Sequence, residues 1–119
     1  MFIVLSPSNP DPMYKQITDQ VKDAIASGQL GPETKLPSIR EMARELSISA
    51  ITIKRAYADL ENEGYILTRS GLGSFVADIN LETLKKEKIR QLRKEIRVLM
   101  KSAEKFGISG DDIIDLIKE

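Results

Sequence analysis

A chain of 119 residues, 41% hydrophobic and 30% charged, has room for one packed domain and an appendage. It has no cysteine and no histidine, which removes disulfides, thiolate metal sites, and the commonest metal ligand and general base; no enzymatic activity, metal or cofactor is expected. The 18 Lys and Arg balance 18 Asp and Glu, no apolar run approaches the roughly 18–20 residues that span a bilayer, and the opening MFIVLSPSNP lacks the basic segment of a signal peptide. No membrane contact is expected, and a cytoplasmic location is.

Phe2 to Leu5 is a short apolar run with the content of a strand, and Ser6 to Pro12, with three prolines, reads as a linker. Asp11-Pro12 has the form of an N-cap followed by a first-turn proline. Tyr14, Ile17, Val21, Ala24 and Ile25 then recur at helical spacing until Gly28, predicting a first helix whose stripe packs on the next two. Gln29 to Pro37 is a turn-rich connection that carries Lys35 and delivers Ser38 to the start of a second helix.

Ser38 with Glu41 three residues on is a capping-box pattern. Ile39, Met42, Ala43 and Leu46 share one helical face and leave Arg40, Glu41, Arg44 and Glu45 to solvent. Ser49 restarts the chain as a second N-cap, and Ile53, Ala56, Tyr57 and Leu60 carry another stripe up to Gly64. Two amphipathic helices so close together are expected to cross at roughly 90–120°, the helix-turn-helix geometry, although an ordinary helical hairpin has the same pattern. In the former, the start of the second helix enters a DNA major groove, and here it offers Ala50, Ile51, Thr52, Lys54 and Arg55. Tyr65 to Arg69 and Ser74 to Ala77 read as two short strands joined by Ser70-Gly71-Leu72-Gly73, a hairpin or wing directly after the second helix. Gly71 and Gly73 suit positive φ and close backbone approach to a groove, or simply a tight turn.

Leu36-Pro37-Ser38-Ile39-Arg40-Glu41-Met42-Ala43, Ser49 to Ala56, Leu60 to Gly64 and Gly71-Leu72-Gly73-Ser74-Phe75-Val76 together resemble the DNA-binding domain of GntR-type bacterial transcription regulators. The likeness runs over about residues 12 to 77, and Pro12 to Ile17 is similar to the short-tailed, YtrA-like branch. It implies double-stranded DNA as partner, repression by promoter occlusion with release by a small molecule, and transporter operons as targets. It also implies contacts from Arg40, Thr52 and Lys54. Where many relatives carry an arginine after the helix-starting serine this chain has Ala50, followed by Ile51, so base reading there is expected to be apolar; an A·T-leaning half-site read mainly by Ala50, Ile51 and Thr52 is expected, with Lys54 and Arg55 left to backbone or guanine contacts. Lys35, Ser38 and Ser49 are expected close to the phosphates with Arg69, and Ser70, Gly71 and Gly73 over the minor groove. Residues 1–79 carry 8 Lys and Arg against 10 Asp and Glu, so affinity must come from local placement of cations and not from net charge.

Residues 80–119 read as a helical tail after a winged helix-turn-helix domain over 1–79, giving a mainly α fold with a small β wing. Ile89, Leu92, Ile96, Leu99, Ala103 and Phe106 lie 3, 4, 3, 4 and 3 residues apart, a heptad seam that either packs back or pairs with a second copy, and pairing into a homodimer is favoured. Gly107 is expected to stop that helix and Ser109 to restart another. Asp111 and Asp112 are half a metal site at most; their place in a first helical turn makes them dipole-facing carboxylates. Residues 80–119 are too few to enclose a pocket without a partner subunit, so any effector site, its ligand unknown, is expected to be small or shared across a dimer. A dimeric regulator reading a palindromic operator leads; a winged module that binds protein without an operator is the alternative.

Overall fold

The computed structural model describes residues 3–119. In order these form α1 (Met13–Ala26), α2 (Ile39–Leu46), α3 (Ala50–Asn62), β1 (Ile66–Arg69), β2 (Gly73–Val76), α4 (Leu81–Glu104) and α5 (Gly110–Lys118). They divide into two units, one ending at Asn80 and the other Leu81–Glu119.

In the first unit α1 buries Ile17, Val21, Ala24 and Ile25 on one face, as its spacing predicts. It opens one residue later than expected. Pro12, at φ −57° and ψ 153°, is itself the N-cap, without a side-chain cap bond. The extended ψ of Pro12 leaves Asp11 one residue too far back to reach the first N–H groups, and its carboxylate lies 3.7 Å from Lys15 Nζ instead. Ahead of α1 there is no strand over Ile3–Leu5, and Phe2 lies outside the described residues. Two glutamines one turn apart supply what a neighbouring strand normally would. Val4 donates to Gln20 Oε1 at 2.9 Å and accepts from Gln20 Nε2 at 2.8 Å, while Ser6 is held the same way by Gln16 at 2.9 and 3.2 Å. That arm tucks Ile3 into the core.

Ser38 caps α2 by accepting the Glu41 N–H at 3.1 Å. Only this half of the expected capping box forms; the Glu41 side chain makes no return bond among the described residues. The α2–α3 turn is three residues long. Ser47 sits in the left-handed region at φ 54°, its N–H meets Arg44 C=O at 3.3 Å, and Ile48 N–H meets Ala43 C=O at 3.1 Å. This pair of bonds satisfies the last carbonyls of α2 and reverses the chain into Ser49, which caps α3. Met42, Ile53, Leu60, Ile66 and Val76 are fully buried around Ile17 and Val21, each worth roughly 1.5–3 kcal/mol in area removed from water. Tyr57 is buried too, and its O–H donates to Pro37 C=O at 2.6 Å, fixing the approach to α2.

β1 and β2 pair antiparallel from Ile66↔Val76 to Arg69↔Gly73. The strands are offset from expectation: Tyr65 precedes β1, and Gly73 opens β2 instead of closing the turn. The connection before α2 is more ordered than its composition suggests. Glu33 N–H meets Val76 C=O at 2.9 Å, Val76 N–H meets Thr34 C=O at 2.8 Å, and Leu36 N–H meets Ser74 C=O at 2.9 Å, so residues 33–36 line the other edge of β2. With the helix-turn-helix of α2 and α3, this is a winged helix fold.

In the second unit α4 runs for 24 residues, and Ile89, Leu92, Ile96 and Leu99 remain 41–57% exposed along it. Ala103 is buried, but Phe106 does not continue the seam: it lies past the end of α4 and is 81% exposed. The stop at Gly107 needs a closing turn of its own, in which Phe106 N–H and Ile108 N–H meet Ala103 C=O, and Gly107, at φ 70°, bonds Glu104 C=O. Ser109 and Asp112 form a reciprocal capping box at 2.9 and 3.2 Å, starting α5. The backbone N–H of Ser109 holds the Asp112 carboxyl below the usual range, so the pair Asp111 and Asp112 serves a helix start. A side chain at Gly110 would stand 3.2 Å from Met100 Cε, which is how closely α5 returns onto α4.

Candidate nucleic-acid interface

The N-terminal half of α3 separates buried from presented residues sharply. Ile53 and Ala56 point into the core, whereas Ala50, Lys54 and Arg55 are exposed and Thr52 is half-buried. Ile51 is 78% exposed, an apolar side chain left in water at the start of a helix. Ser49 Oγ accepts the Ile51 N–H at 3.2 Å, so its hydroxyl oxygen is engaged in starting the helix. Ser38 Oγ is engaged likewise at the start of α2, and Arg40, one residue inside it, is exposed.

Arg55 makes a ring contact on this face. Its guanidinium carbon stands 3.7 Å from the centre of the Tyr14 ring on α1, a stacking distance. Tyr14, expected to serve only the apolar stripe of α1, is half-buried and turns its ring to this contact.

The wing gathers a second group. Arg69 Nη2 lies 2.8 Å from Glu33 Oε2, and its guanidinium stands 5.0 Å from the Phe75 ring. Arg69 is therefore held by a carboxylate, where the sequence alone leaves it open to phosphates. Glu33 itself takes φ 66°, a conformation uncommon outside glycine, at the turn into the strand edge beside β2. Lys35 is exposed and crosses the start of β2: a Cβ at Gly73 would stand 3.0 Å from Lys35 Cε. Gly73, at φ 113°, thus gives both a backbone angle and room for a lysine stem; Gly71, at φ 75°, forms the exposed tip beside Ser70 with open space around it.

The structure thus brings Lys35, Arg69 and Gly73 together on the wing, and Ala50, Ile51, Thr52, Lys54 and Arg55 together on α3. Tyr14 and Glu33 are the additions that sequence reasoning did not single out. Among the described residues no group of three or more acidic residues stands close enough to hold a metal ion, and no helix is long and apolar enough to cross a membrane.

A helix-turn-helix followed at once by a wing defines a class of DNA-binding transcription regulators. Residues 13–76 match the family described as bacterial regulatory proteins, gntR family. The chain is 32% identical over 117 residues to the HTH-type transcriptional repressor YtrA of Bacillus subtilis (strain 168), covering 98% of this chain and 90% of that one. A GntR family transcriptional regulator from Listeria monocytogenes, of known structure, is 32% identical with a TM-score of 0.74, over 96% of this chain and 97% of that one. The AraR DNA-binding domain in complex with operator ORX1 is 29% identical with a TM-score of 0.56, over 62% of this chain and 92% of that one. The chain belongs to the GntR family of bacterial regulatory proteins, transcription regulators rather than enzymes.

Proposed function

We propose that this regulator is a cytoplasmic repressor that binds a palindromic operator as a homodimer, and that its targets include a transporter-type operon. The observation that carries the DNA contact is the presented start of α3, where Ile51 is 78% exposed beside Ala50, Thr52 and Lys54 while the rest of the helix is anchored in the core. An exposed isoleucine suits thymine methyl groups, so Ala50 and Ile51 read an A·T-leaning half-site in the major groove. Lys54 and Arg55 take backbone or guanine contacts, and Arg40 takes a phosphate or guanine edge from the start of α2. The wing lies over the minor groove through Ser70, Gly71 and Gly73, with Lys35 at its base. Arg69 reaches phosphate only by exchanging Glu33 for it. The operator-bound AraR domain supports this reading by its similar fold, and the likeness to a YtrA repressor supports the sign of regulation.

Selection of duplexes from a random-sequence library by the full chain, followed by fluorescence anisotropy on the selected duplex, tests it. An inverted repeat with A·T-leaning half-sites is expected, and Arg40→Ala should weaken binding by roughly 1–3 kcal/mol with the fold intact. Half-sites built of G·C pairs throughout contradict the apolar readout, and unchanged affinity removes Arg40 from the interface.

A further inference from the structure

Among the described residues of the first unit, three cations lie near aromatic rings, and they differ in what else holds them. Lys22 stands 5.4 Å from the Tyr65 ring and is paired with Glu63; Arg69 stands 5.0 Å from Phe75 and is paired with Glu33. Arg55 stands closest, 3.7 Å from the Tyr14 ring centre, and no carboxylate pairs with it among the described residues. The acidic residues flanking Tyr14 are drawn elsewhere, since Lys15 Nζ lies 2.9 Å from Asp19 and 3.7 Å from Asp11.

We propose that Tyr14 is a positioning residue for DNA binding, its ring holding the Arg55 guanidinium in place on the presented side of α3 before DNA arrives. The proposal rests on the reading that this part of α3 meets DNA. A guanidinium stacked on a ring is fixed through its flat face, while its five N–H donors lie in the plane and stay open to phosphate oxygens or a guanine edge. An ion pair has the opposite effect, since it orders the side chain by occupying those donors, as Glu33 does to Arg69. Arginine loses much rotamer freedom on contact, and a side chain already stacked has lost part of it in the free protein. Tyr14 can serve because it comes from α1, which packs against α3, and because it is half-buried and not enclosed in the core.

The test uses the full chain and a fluorescein-labelled duplex that the parent protein selects from a random-sequence library. Affinities are compared for the parent, Tyr14→Phe, Tyr14→Leu, Arg55→Ala and the double variant Tyr14→Leu/Arg55→Ala. Tyr14→Leu should weaken binding about two- to fivefold, the size of an exposed cation–π contact, and Tyr14→Phe, which keeps a ring face, should stay within about twofold of the parent. With Arg55 already replaced by Ala, Tyr14→Leu should cost nothing further, which a packing defect does not imitate. Equal losses from Tyr14→Leu in both backgrounds, or no loss in either, overturn the proposal. Parental affinity in Arg55→Ala also overturns it while leaving the operator reading intact. A selection that enriches no duplex removes the operator reading and this proposal with it.

Discussion

The two units solve the burial problem in different ways. The first encloses Ile17, Val21, Met42, Ile53, Leu60 and Ile66 completely within fewer than eighty residues, and its helix ends are closed by Ser38, Ser47, Ser49 and Gly64. The second has a well-capped start to α5 and one buried apolar residue, Ala103, while Ile89, Leu92, Ile96, Leu99, Ile114 and Ile117 all stay exposed. Good local signals therefore do not by themselves make a self-sufficient fold. Caps and periodicity decide where helices form, but a single long helix with an apolar stripe is marginal in water until something covers it.

Core truncation should separate the units most. Leu60→Ala removes a fully buried side chain and should lower the stability of the first unit by about 2–5 kcal/mol, read from denaturant unfolding at any protein concentration. Ile96→Ala, at a site 57% exposed in the single chain, should leave that transition in place and instead raise the concentration at which dimers dissociate. A large concentration-independent loss from Ile96→Ala erases the distinction.

Tyr57 offers a smaller effect confined to the first unit. Burial, followed by the Glu41 and Glu45 carboxylates, pushes its hydroxyl well above its ordinary value of 10.0. The neutral form thus contributes stability that is complete below about pH 10, and that falls above it as the unfolded chain ionises before the folded one can. Tyr57→Phe should cost about 0.5–1.5 kcal/mol at neutral pH through the lost bond to Pro37, yet flatten the alkaline decline in thermal melts. An unaltered alkaline limb assigns that decline to other groups.

The smallest effect compares two helix ends within the same unit. Gly64 ends α3 at φ 83°, whereas Ser47 ends α2 at φ 54° with a Cβ in the left-handed region. Ser47→Gly should stabilise the helix-turn-helix by roughly 0.5–1 kcal/mol, measured as an increase in melting temperature. A decrease would show that the serine side chain compensates for its backbone angle.

Much of this architecture is legible locally. The helical stripes, the caps at Ser38, Ser49 and Ser109, the stop at Gly107 and the glycine-tipped wing all follow from residues within a few positions of one another. What escaped the sequence depends on distant partners or on competition between local rules. The edge at residues 33–36 reads as a turn because it carries Glu and Lys before a proline, and its hydrogen bonds come from β2, some forty residues away. Tyr14 has helical spacing that fits a core stripe, and only the fold shows that it meets Arg55. Glu33 and Arg69 are brought together by the same long-range pairing. Phe106 keeps heptad spacing, but the turn required by Gly107 takes precedence and removes it from the helix.

We propose that the second unit, through the exposed stripe of Ile89, Leu92, Ile96 and Leu99, makes the dimer on which operator binding depends. The most direct measurement is sedimentation mass together with anisotropy on a selected operator duplex, for the full chain, a chain ending at Asn80, and Leu92→Asp/Leu99→Asp in the full chain. Two linked sites bind with an avidity that can exceed a single site by about 10²–10⁴. Both altered proteins should be folded monomers with operator affinity lower by that order. A chain ending at Asn80 that stays dimeric would place the interface outside the second unit, and a monomer that binds as tightly as the parent would show that operator binding does not depend on the dimer.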